Sequence, residues 1–521
     1  MTRQLSFIIL TVCTMLIPLG VVSALLAWRF DATLFDHAPF WSDELYHWHQ
    51  SVSFAEVGFN NGYYSLNENT PPADFSHYYA WGAWAYVLYG GLGSLFGFPL
   101  YALPIIHSVM LMGAIGVYVF STRPDWQRFG LLGAVLASFI PLLLYLPSSM
   151  LEGLHLSIVL VLAGGFYRTL TQRITSYELI GLVLVAMLGG LVRPTHALFI
   201  PPLLALAVWQ RTARTTIIAG IQALPPVLIS ALGYYVSSAP FPFSRSLLFY
   251  GDDALVIKLE RFGAYLQQSL IWLTEGAGVV MAQRYQIALL LGLLMIWGAV
   301  QWWRERQGAL SETDAGWRWE WALHLYNLLG FYTATILFHE TLGGHDYRVM
   351  APHLLFSLLV LVAMRRRVLV LALVAFTLLW LPAMWEEYNG KAPNFDGTVA
   401  QQFADWRSIM GDDLRYDPSA SSAWCNTVMT SAFYVLDAAG TPGMLLSIDA
   451  GMGLSWTTDW VFPDLDLAVP SIYTTPQTFK ARYLILTNAD YRNWGNQLNL
   501  ERIERAPEGA LYRNLEAECS S

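Results

Sequence analysis

The sequence predicts an α-helical polytopic membrane protein with about eleven transmembrane helices and a C-terminal extracytoplasmic α/β domain. Of its 521 residues, 55% are hydrophobic and only 13% are charged, whereas an average soluble protein has about 25% charged residues. Apolar runs fill residues 1–385, and residues 386–521 mix polar, aromatic and acidic side chains. We therefore expect a transmembrane domain over 1–385 and a soluble domain over 386–521.

The apolar runs of the first region have the length of bilayer spans. A helix that crosses the hydrocarbon core needs about 20 predominantly apolar residues. The first run is too long for the apolar core of a secretory signal peptide, so it predicts a retained helix. Runs of this kind predict transmembrane helices near 5–28, 101–121, 129–147, 152–168, 177–193, 195–210, 216–236, 285–303, 319–338, 349–364 and 368–385.

Arginine residues mark every second loop between these helices. They are Arg123 and Arg128, Arg168 and Arg173, Arg211 and Arg214, Arg304 and Arg306, and Arg365, Arg366 and Arg367. Because Lys and Arg are enriched in cytoplasmic loops, this pattern predicts a cytoplasmic N-terminus. The odd number of helices then places residues 386–521 on the opposite, outer side.

Two segments on the predicted outer side differ from simple spans. Residues 77–98, in the outer loop 29–100, are rich in Trp, Tyr and Gly, and residues 254–275 carry charges between apolar residues around a helical wheel. Amphipathic and aromatic-rich helices of this kind lie at membrane interfaces. We expect both segments to form helices on the outer membrane surface.

The C-terminal region alternates strand-like and helix-like patterns. Candidate strands lie near 425–429, 444–448 and 483–486, and candidate helices near 400–410 and 432–439, which predicts a small α/β domain. Cys425 and Cys519 either pair in this domain or remain free thiols, because a sequence does not show whether two Cα atoms approach.

Acidic residues recur at the predicted outer ends of the helices. Asp43 and Glu44 follow the first helix, and Glu152 opens the fourth. A carboxylate beside hydrocarbon is costly to desolvate, so its presence indicates a water-filled cavity, a metal ion or a cationic partner. The alternatives are a solvated loop or helix cap for Asp43 and Glu44 and a first-turn acid favoured by the helix dipole for Glu152.

Two arginines occupy the same predicted side, against the usual charge bias. Arg193 lies in a tight turn between two helices, and Arg348 precedes the tenth helix. Outer arginines suit anion binding, and the alternative for each is an interaction with lipid headgroups. Asp43 and His47 are candidate metal ligands, although a histidine equally suits a simple hydrogen bond. Further candidate substrate-binding residues are His77, His345, Asp346 and Tyr347.

One reaction that needs both residue types is glycosyl transfer from a polyprenyl phosphate. A carboxylate takes the proton of the acceptor hydroxyl, and cations stabilise the departing phosphate. The layout resembles the GT-C glycosyltransferases, in particular protein O-mannosyltransferases and lipid A aminoarabinose transferases. In that family an acidic pair stands in the first outer loop, as Asp43 and Glu44 do here, surface helices follow, and another acid opens a later helix, as Glu152 does.

The resemblance implies site roles. The candidate catalytic residues are Asp43, Glu44 and Glu152. Asp43 would be the general base or a metal-site acid, Glu44 its support, and Arg348 or Arg193 the partner of the lipid phosphate. It also implies a bacterial inner (plasma) membrane location and, in some relatives, a divalent metal ion. Many relatives carry His-Pro-Pro in the first outer loop, whereas this chain has Pro71-Pro72 and a separate His77, so acceptor contacts do not carry over.

The sequence thus predicts an inverting glycosyltransferase that moves a sugar from a polyprenyl-phosphate donor to an extracytoplasmic glycan, lipid or protein. Membrane lipids are its surroundings, and nucleic acid is excluded as a partner, because the net charge is −9 and no stretch outside the short loops between helices offers a basic face. The alternatives are a transporter or flippase of lipid-linked glycans, which would need ionisable residues within spans and paired broken helices, and a noncatalytic scaffold subunit.

Overall fold

The computed structural model of the chain describes residues 2–35, 44, 47, 51, 54–55, 82–96, 101–172, 174–208, 213–237, 255–271, 278–309, 316–334, 346–390, 427–430, 432–436, 442–446, 466–468, 483–487, 491–492, 495–505 and 509–516.

The described part of the first region is helical. Five of its helices are long and apolar enough to cross a membrane, and the chain is an integral membrane protein, as its composition predicts. These five cover Gln4–Phe30, Ala102–Thr122, Glu152–Thr171, Arg214–Ser237 and Arg284–Arg306. Short 3-10 helices cover Ser94–Phe96, Pro194–Phe199 and Asp346–Met350, and a π-helix covers Tyr326–Gly330. The α-helices are α1 (Thr2–Phe30), α2 (Trp84–Gly93), α3 (Ala102–Thr122), α4 (Trp126–Ser138), α5 (Ile140–Tyr145), α6 (Glu152–Thr171), α7 (Ser176–Val192), α8 (Ile200–Ala207), α9 (Ala213–Ser237), α10 (Leu255–Ile271), α11 (Gly278–Arg306), α12 (Trp317–Leu325), α13 (Ala351–Ala363), α14 (Arg367–Leu379) and α15 (Leu381–Gly390).

Helices occupy the predicted apolar intervals, but several are interrupted. The predicted helix 129–147 is divided into α4 and α5 at Phe139, whose backbone is extended. Pro141 lies at the start of α5, where its missing N–H has no intrahelical partner to lose. The predicted helix 195–210 likewise begins as the 3-10 helix Pro194–Phe199 before it continues as α8. The number of membrane crossings remains a prediction.

The two predicted surface segments differ in burial. Helix α2 lies within 77–98, and its Tyr86 and Tyr89 are fully buried. Helix α10 lies within 254–275 and is mostly exposed along its length. One face of α2 therefore packs into the protein, and α2 contributes to the site described below.

Helix α13 lies at the centre of the bundle, because all of its residues are buried. Such all-round apolar character is typical of a helix enclosed by others. Helix α6 packs against both α13 and α3, and a Cβ added at Gly164 of α6 would lie 3.2 Å from the Cα of Tyr118. The Tyr118 hydroxyl donates to the carbonyl of Leu359 at 2.7 Å and joins α3 to α13.

An arginine cluster closes one end of α3. The buried guanidinium of Arg128 donates to the carbonyls of Thr122 and Ala363 at the C-terminal ends of α3 and α13, which lack intrahelical donors. Asp125 pairs with Arg365 at 2.9 Å. A hydrogen bond from the Arg128 backbone N–H and the nearby guanidiniums hold the pKa of Asp125 below its ordinary value. Helix α3 spans about 30 Å, the thickness of a bilayer core, between this cluster and its first residue.

The described part of the C-terminal region forms two sheets. Its strands are β1 (Thr427–Thr430), β2 (Ala432–Leu436), β3 (Pro442–Leu446), β4 (Asp466–Ala468), β5 (Tyr483–Thr487), β6 (Leu500–Arg505) and β7 (Gly509–Asn514). The five-stranded sheet has the order β4-β1-β5-β7-β6, with β1 parallel to β4 and β5 and with β7 antiparallel to β5 and β6. Strands β2 and β3 form a separate antiparallel pair.

The predicted strands overlap β1, β3 and β5, but the predicted helix 432–439 is wrong over β2. Phe433, Tyr434 and Val435 have aromatic or β-branched side chains that favour strands, and they pair with β3. The predicted helix 400–410 and both Cys425 and Cys519 lie outside the described residues. An extracytoplasmic α/β domain therefore stays a prediction.

We expect Gly190→Ala to destabilise the bundle by about 1–3 kcal/mol, because overpacking forces rigid neighbours apart. A Cβ at Gly190 of α7 would lie 2.8 Å from the Cβ atoms of both Ala197 and Ser230. The matched control is Gly181→Ala in the same helix, where no atom lies within 4 Å of the added Cβ. The measurement is the free energy of unfolding in mixed detergent micelles, and equal values for both variants would contradict this packing.

Candidate functional site

Glu152 is a buried carboxylate at the first residue of α6. Its exposed fraction is 2%, and the turn that precedes it follows α5 directly. The opposite end of α6 carries Arg168, which pairs with Glu178 of α7. Glu152 therefore lies at the bundle end remote from the basic loops.

Two arginines from distant segments flank this carboxylate. Nη2 of Arg193 lies 3.0 Å from Oε1 of Glu152, and Nε of Arg348 lies 3.9 Å from the same oxygen. Arg193 ends α7 with an extended backbone, as expected of a residue before proline. Arg348 lies in the 3-10 helix that leads into α13. Three separate segments thus converge at one point.

The arginines of this trio suit an anionic ligand. Both guanidiniums approach one oxygen of the Glu152 carboxylate. Nη1 of Arg193 is buried and has no hydrogen-bond partner among the described residues. A buried donor without a partner costs about 1–3 kcal/mol, which an incoming anionic oxygen would relieve.

Glu44 is anchored to the turn before Glu152. Its buried carboxylate accepts a hydrogen bond from the backbone N–H of Ser149 at 2.7 Å. His107 contacts the carbonyl of Ser148 through Nδ1 at 3.1 Å and the hydroxyl of Tyr89 through Nε2 at 2.7 Å. Because a carbonyl only accepts, Nδ1 of His107 donates to Ser148. Glu44 and His107 therefore hold this turn, and Tyr89 holds the ring of His107.

His47 also lies at this end of the bundle. It is buried, its Nδ1 lies 2.9 Å from the Tyr86 hydroxyl, and it interacts electrostatically with Glu152. In the part of the chain that the structure describes, no group of three His, Cys, Asp or Glu side chains is placed to hold a metal ion. Asp43, the other candidate ligand, lies outside that part.

Some of the predicted site residues lie in parts of the chain that the structure does not describe. Asp43, His77 and His345 lie outside the described residues, and the backbone of Asp346 and Tyr347 forms part of the 3-10 helix Asp346–Met350. The structure does bring together the remaining candidates, which come from four separate segments. They are Glu44, His47, Glu152, Arg193 and Arg348.

The sequence reasoning missed a set of buried histidines beneath the charged trio. His155 and His196 each follow a charged residue by three positions, after Glu152 and Arg193 respectively. His353 follows Arg348 by five positions and is also buried. Residues three apart share a helix face. The repeated spacing in the sequence therefore indicates that His155 and His196 each lie on the same face as the charged residue before them.

Comparison with known proteins gives a distant structural similarity. No protein-family model matches the chain, and no curated protein matches it. Among solved structures, it is similar to ArnT from Cupriavidus metallidurans in the apo state, with a TM-score of 0.44 and 10% identity over 99% of both chains. It is also similar to the same protein bound to undecaprenyl phosphate, with a TM-score of 0.38 and 11% identity over 99% of this chain and 98% of that one. Both agree with the resemblance expected from the sequence.

We expect Glu152→Gln to destabilise the protein by about 2–4 kcal/mol, because it leaves two arginines without their buried counter-charge. The matched control is Glu178→Gln, which neutralises the more exposed partner of Arg168 and should cost at most about 1 kcal/mol. The free energy of unfolding measures both. A smaller loss for Glu152→Gln than for the control would refute the ion-pair assignment.

Proposed function

We propose that the chain is an inverting glycosyltransferase that moves a sugar from a polyprenyl-phosphate donor to an extracytoplasmic acceptor. The observation that carries this proposal is the placement of both Arg193 and Arg348 beside one buried carboxylate, that of Glu152, at one end of an apolar bundle. The acceptor is a glycan, lipid or protein hydroxyl.

The cation pair suits a phosphate attached to a lipid. A guanidinium offers several N–H donors in a planar fork that matches the oxygens of phosphate. The Arg193 side chain is 17% exposed and that of Arg348 is 26% exposed, so both are partly open to a ligand while withdrawn from bulk water. Because the surrounding helices are apolar on their outer faces, a prenyl tail can remain in the bilayer while its phosphate reaches the arginines.

The proposed step forms one glycosidic bond and breaks one sugar–phosphate bond. The acceptor hydroxyl oxygen attacks the anomeric carbon from the face opposite the phosphate, which inverts that carbon. The anomeric carbon–oxygen bond breaks, and its electron pair leaves with the polyprenyl phosphate. The acceptor proton passes to a carboxylate acting as general base, while Arg193 and Arg348 stabilise the charge that develops on the phosphate.

The resemblance to GT-C enzymes assigns the general base to Asp43. This residue directly precedes Glu44, which is bonded to the turn before Glu152. Glu152 itself is paired with Arg193, so we assign it to holding the arginines. This division separates the proton acceptor from the phosphate-binding groups.

We expect Asp43→Asn to reduce sugar transfer at least about 100-fold, because general-base catalysis contributes roughly 10²–10⁴-fold. The assay uses purified protein in nanodiscs, a radiolabelled sugar on polyprenyl phosphate, and membrane extracts as the acceptor source. Expression, membrane insertion and binding of polyprenyl phosphate should not change. Full transfer by the variant would remove the assignment, and transbilayer movement of the lipid-linked sugar without glycosidic bond formation would favour a flippase instead.

We expect Arg348→Gln to raise the KM for the lipid-linked donor about 10- to 100-fold, the effect of losing 1.4–2.7 kcal/mol of phosphate interaction. Arg365→Gln is the matched control, since Arg365 is an exposed partner of Asp125 at the other end of the bundle. An unchanged donor KM, or an equal loss in the control, would exclude a phosphate role for Arg348.

A further inference from the structure

A polar layer lies about one helical turn beneath the charged trio. His155 and His196 are hydrogen-bonded, with Nδ1 of the first 2.8 Å from Nε2 of the second. The ring of His353 stacks over that of His196, with centroids 6.1 Å apart and an interplanar angle of 22°. All three imidazoles are buried. Each belongs to a segment that also carries one of the three charges.

The histidine pair connects the same two segments of the chain as the salt bridge between Glu152 and Arg193. Glu152 and Arg193 join α6 to the end of α7 at 3.0 Å, and His155 and His196 join α6 to the following 3-10 helix one step deeper. Two parallel links between the same segments restrain both their separation and their rotation. A single salt bridge leaves that rotation free.

The π-helix Tyr326–Gly330 connects two of the segments in this layer, α13 and the 3-10 helix Pro194–Phe199. Asn327 accepts a hydrogen bond from Nδ1 of His353 at 2.7 Å and donates to the His353 carbonyl at 2.7 Å and to Ser357 Oγ at 2.9 Å. Tyr326 donates to the carbonyl of Leu198 at 3.0 Å. The π-helix therefore binds α13, which follows Arg348, and the 3-10 helix, which follows Arg193.

We infer that His155, His196, His353 and Asn327 are positioning residues that set the separation of Arg193 and Arg348. This inference rests on the proposed phosphate-binding role of the two arginines. A binding constellation must be held within about 0.5 Å of its productive geometry by supporting side chains. The layer meets that need without touching the ligand, because its bonds run between the arginine-bearing segments.

The bonding nitrogens define a discriminating experiment. His155 uses Nδ1, whose position an asparagine amide reproduces, and His196 uses Nε2, whose position a glutamine amide reproduces. We expect His155→Asn and His196→Gln to keep farnesyl phosphate affinity within about 2-fold of the starting protein. His155→Gln and His196→Asn should weaken it about 10-fold, the upper effect of one misplaced hydrogen bond.

Binding is measured on the full chain in detergent by tryptophan fluorescence, with farnesol as a probe that lacks the phosphate. Thermal unfolding midpoints are recorded for all four variants. His324→Asn and His324→Gln are the controls, since His324 is buried and its ring nitrogens have no hydrogen-bond partner among the described residues. Neither control should change farnesyl phosphate affinity.

The inference is supported if His155→Asn and His196→Gln keep their affinity for farnesyl phosphate while His155→Gln and His196→Asn lose it. Equal affinities within each Asn and Gln pair, or affinities that merely follow the unfolding midpoint, overturn it. Arg193→Gln separates this result from the proposed function. If that variant binds farnesyl phosphate normally, the phosphate site itself is wrong, whereas a defect in Arg193→Gln with four unaffected histidine variants rejects only the positioning layer.

Discussion

The salt bridge between Glu152 and Arg193 is the interaction on which this end of the bundle depends. A carboxylate that is 2% exposed beside apolar helices is unfavourable unless a cation compensates it. The cations are Arg193, which lies 41 positions after Glu152 in the sequence, and Arg348, which lies 196 positions after it. The charge can therefore be buried only when α6, the end of α7 and the segment before α13 have assembled, which makes the site a product of the complete bundle.

Incomplete hydrogen bonding of Arg193 links stability to binding at this point. The Glu152 carboxylate pairs with Nη2 of Arg193, whereas the buried Nη1 of the same guanidinium has no hydrogen-bond partner among the described residues. Nε of Arg348 lies 3.9 Å from Glu152. An anionic oxygen bound to Nη1 of Arg193 would satisfy this donor in a partly desolvated place, where hydrogen bonds to phosphate are strong.

The helical class and the positions of most helices followed from apolar runs, because a bilayer demands about 20 apolar residues whatever the neighbours are. Helix interruptions were missed at Phe139 and before α8, where prolines act on the backbone locally. Strand β2 was mistaken for a helix, since a run of five residues does not distinguish the two periods. Charge in an apolar context identified Glu152, Arg193 and Arg348 and placed them on one side of the membrane, but the sequence did not predict the pairing of Glu152 with Arg193.

The sequence by itself determined that this chain is a membrane protein, where its apolar helices lie, and which charged residues stand at their ends. Only the tertiary structure decided that Glu152 takes Arg193 as its partner, that Glu44 holds the backbone of Ser149, and that three histidines form a layer beneath the charges. The physical reason is one of range. Hydrophobicity and periodicity are properties of neighbouring residues, whereas a hydrogen bond between residues 41 or more positions apart depends on how whole helices pack.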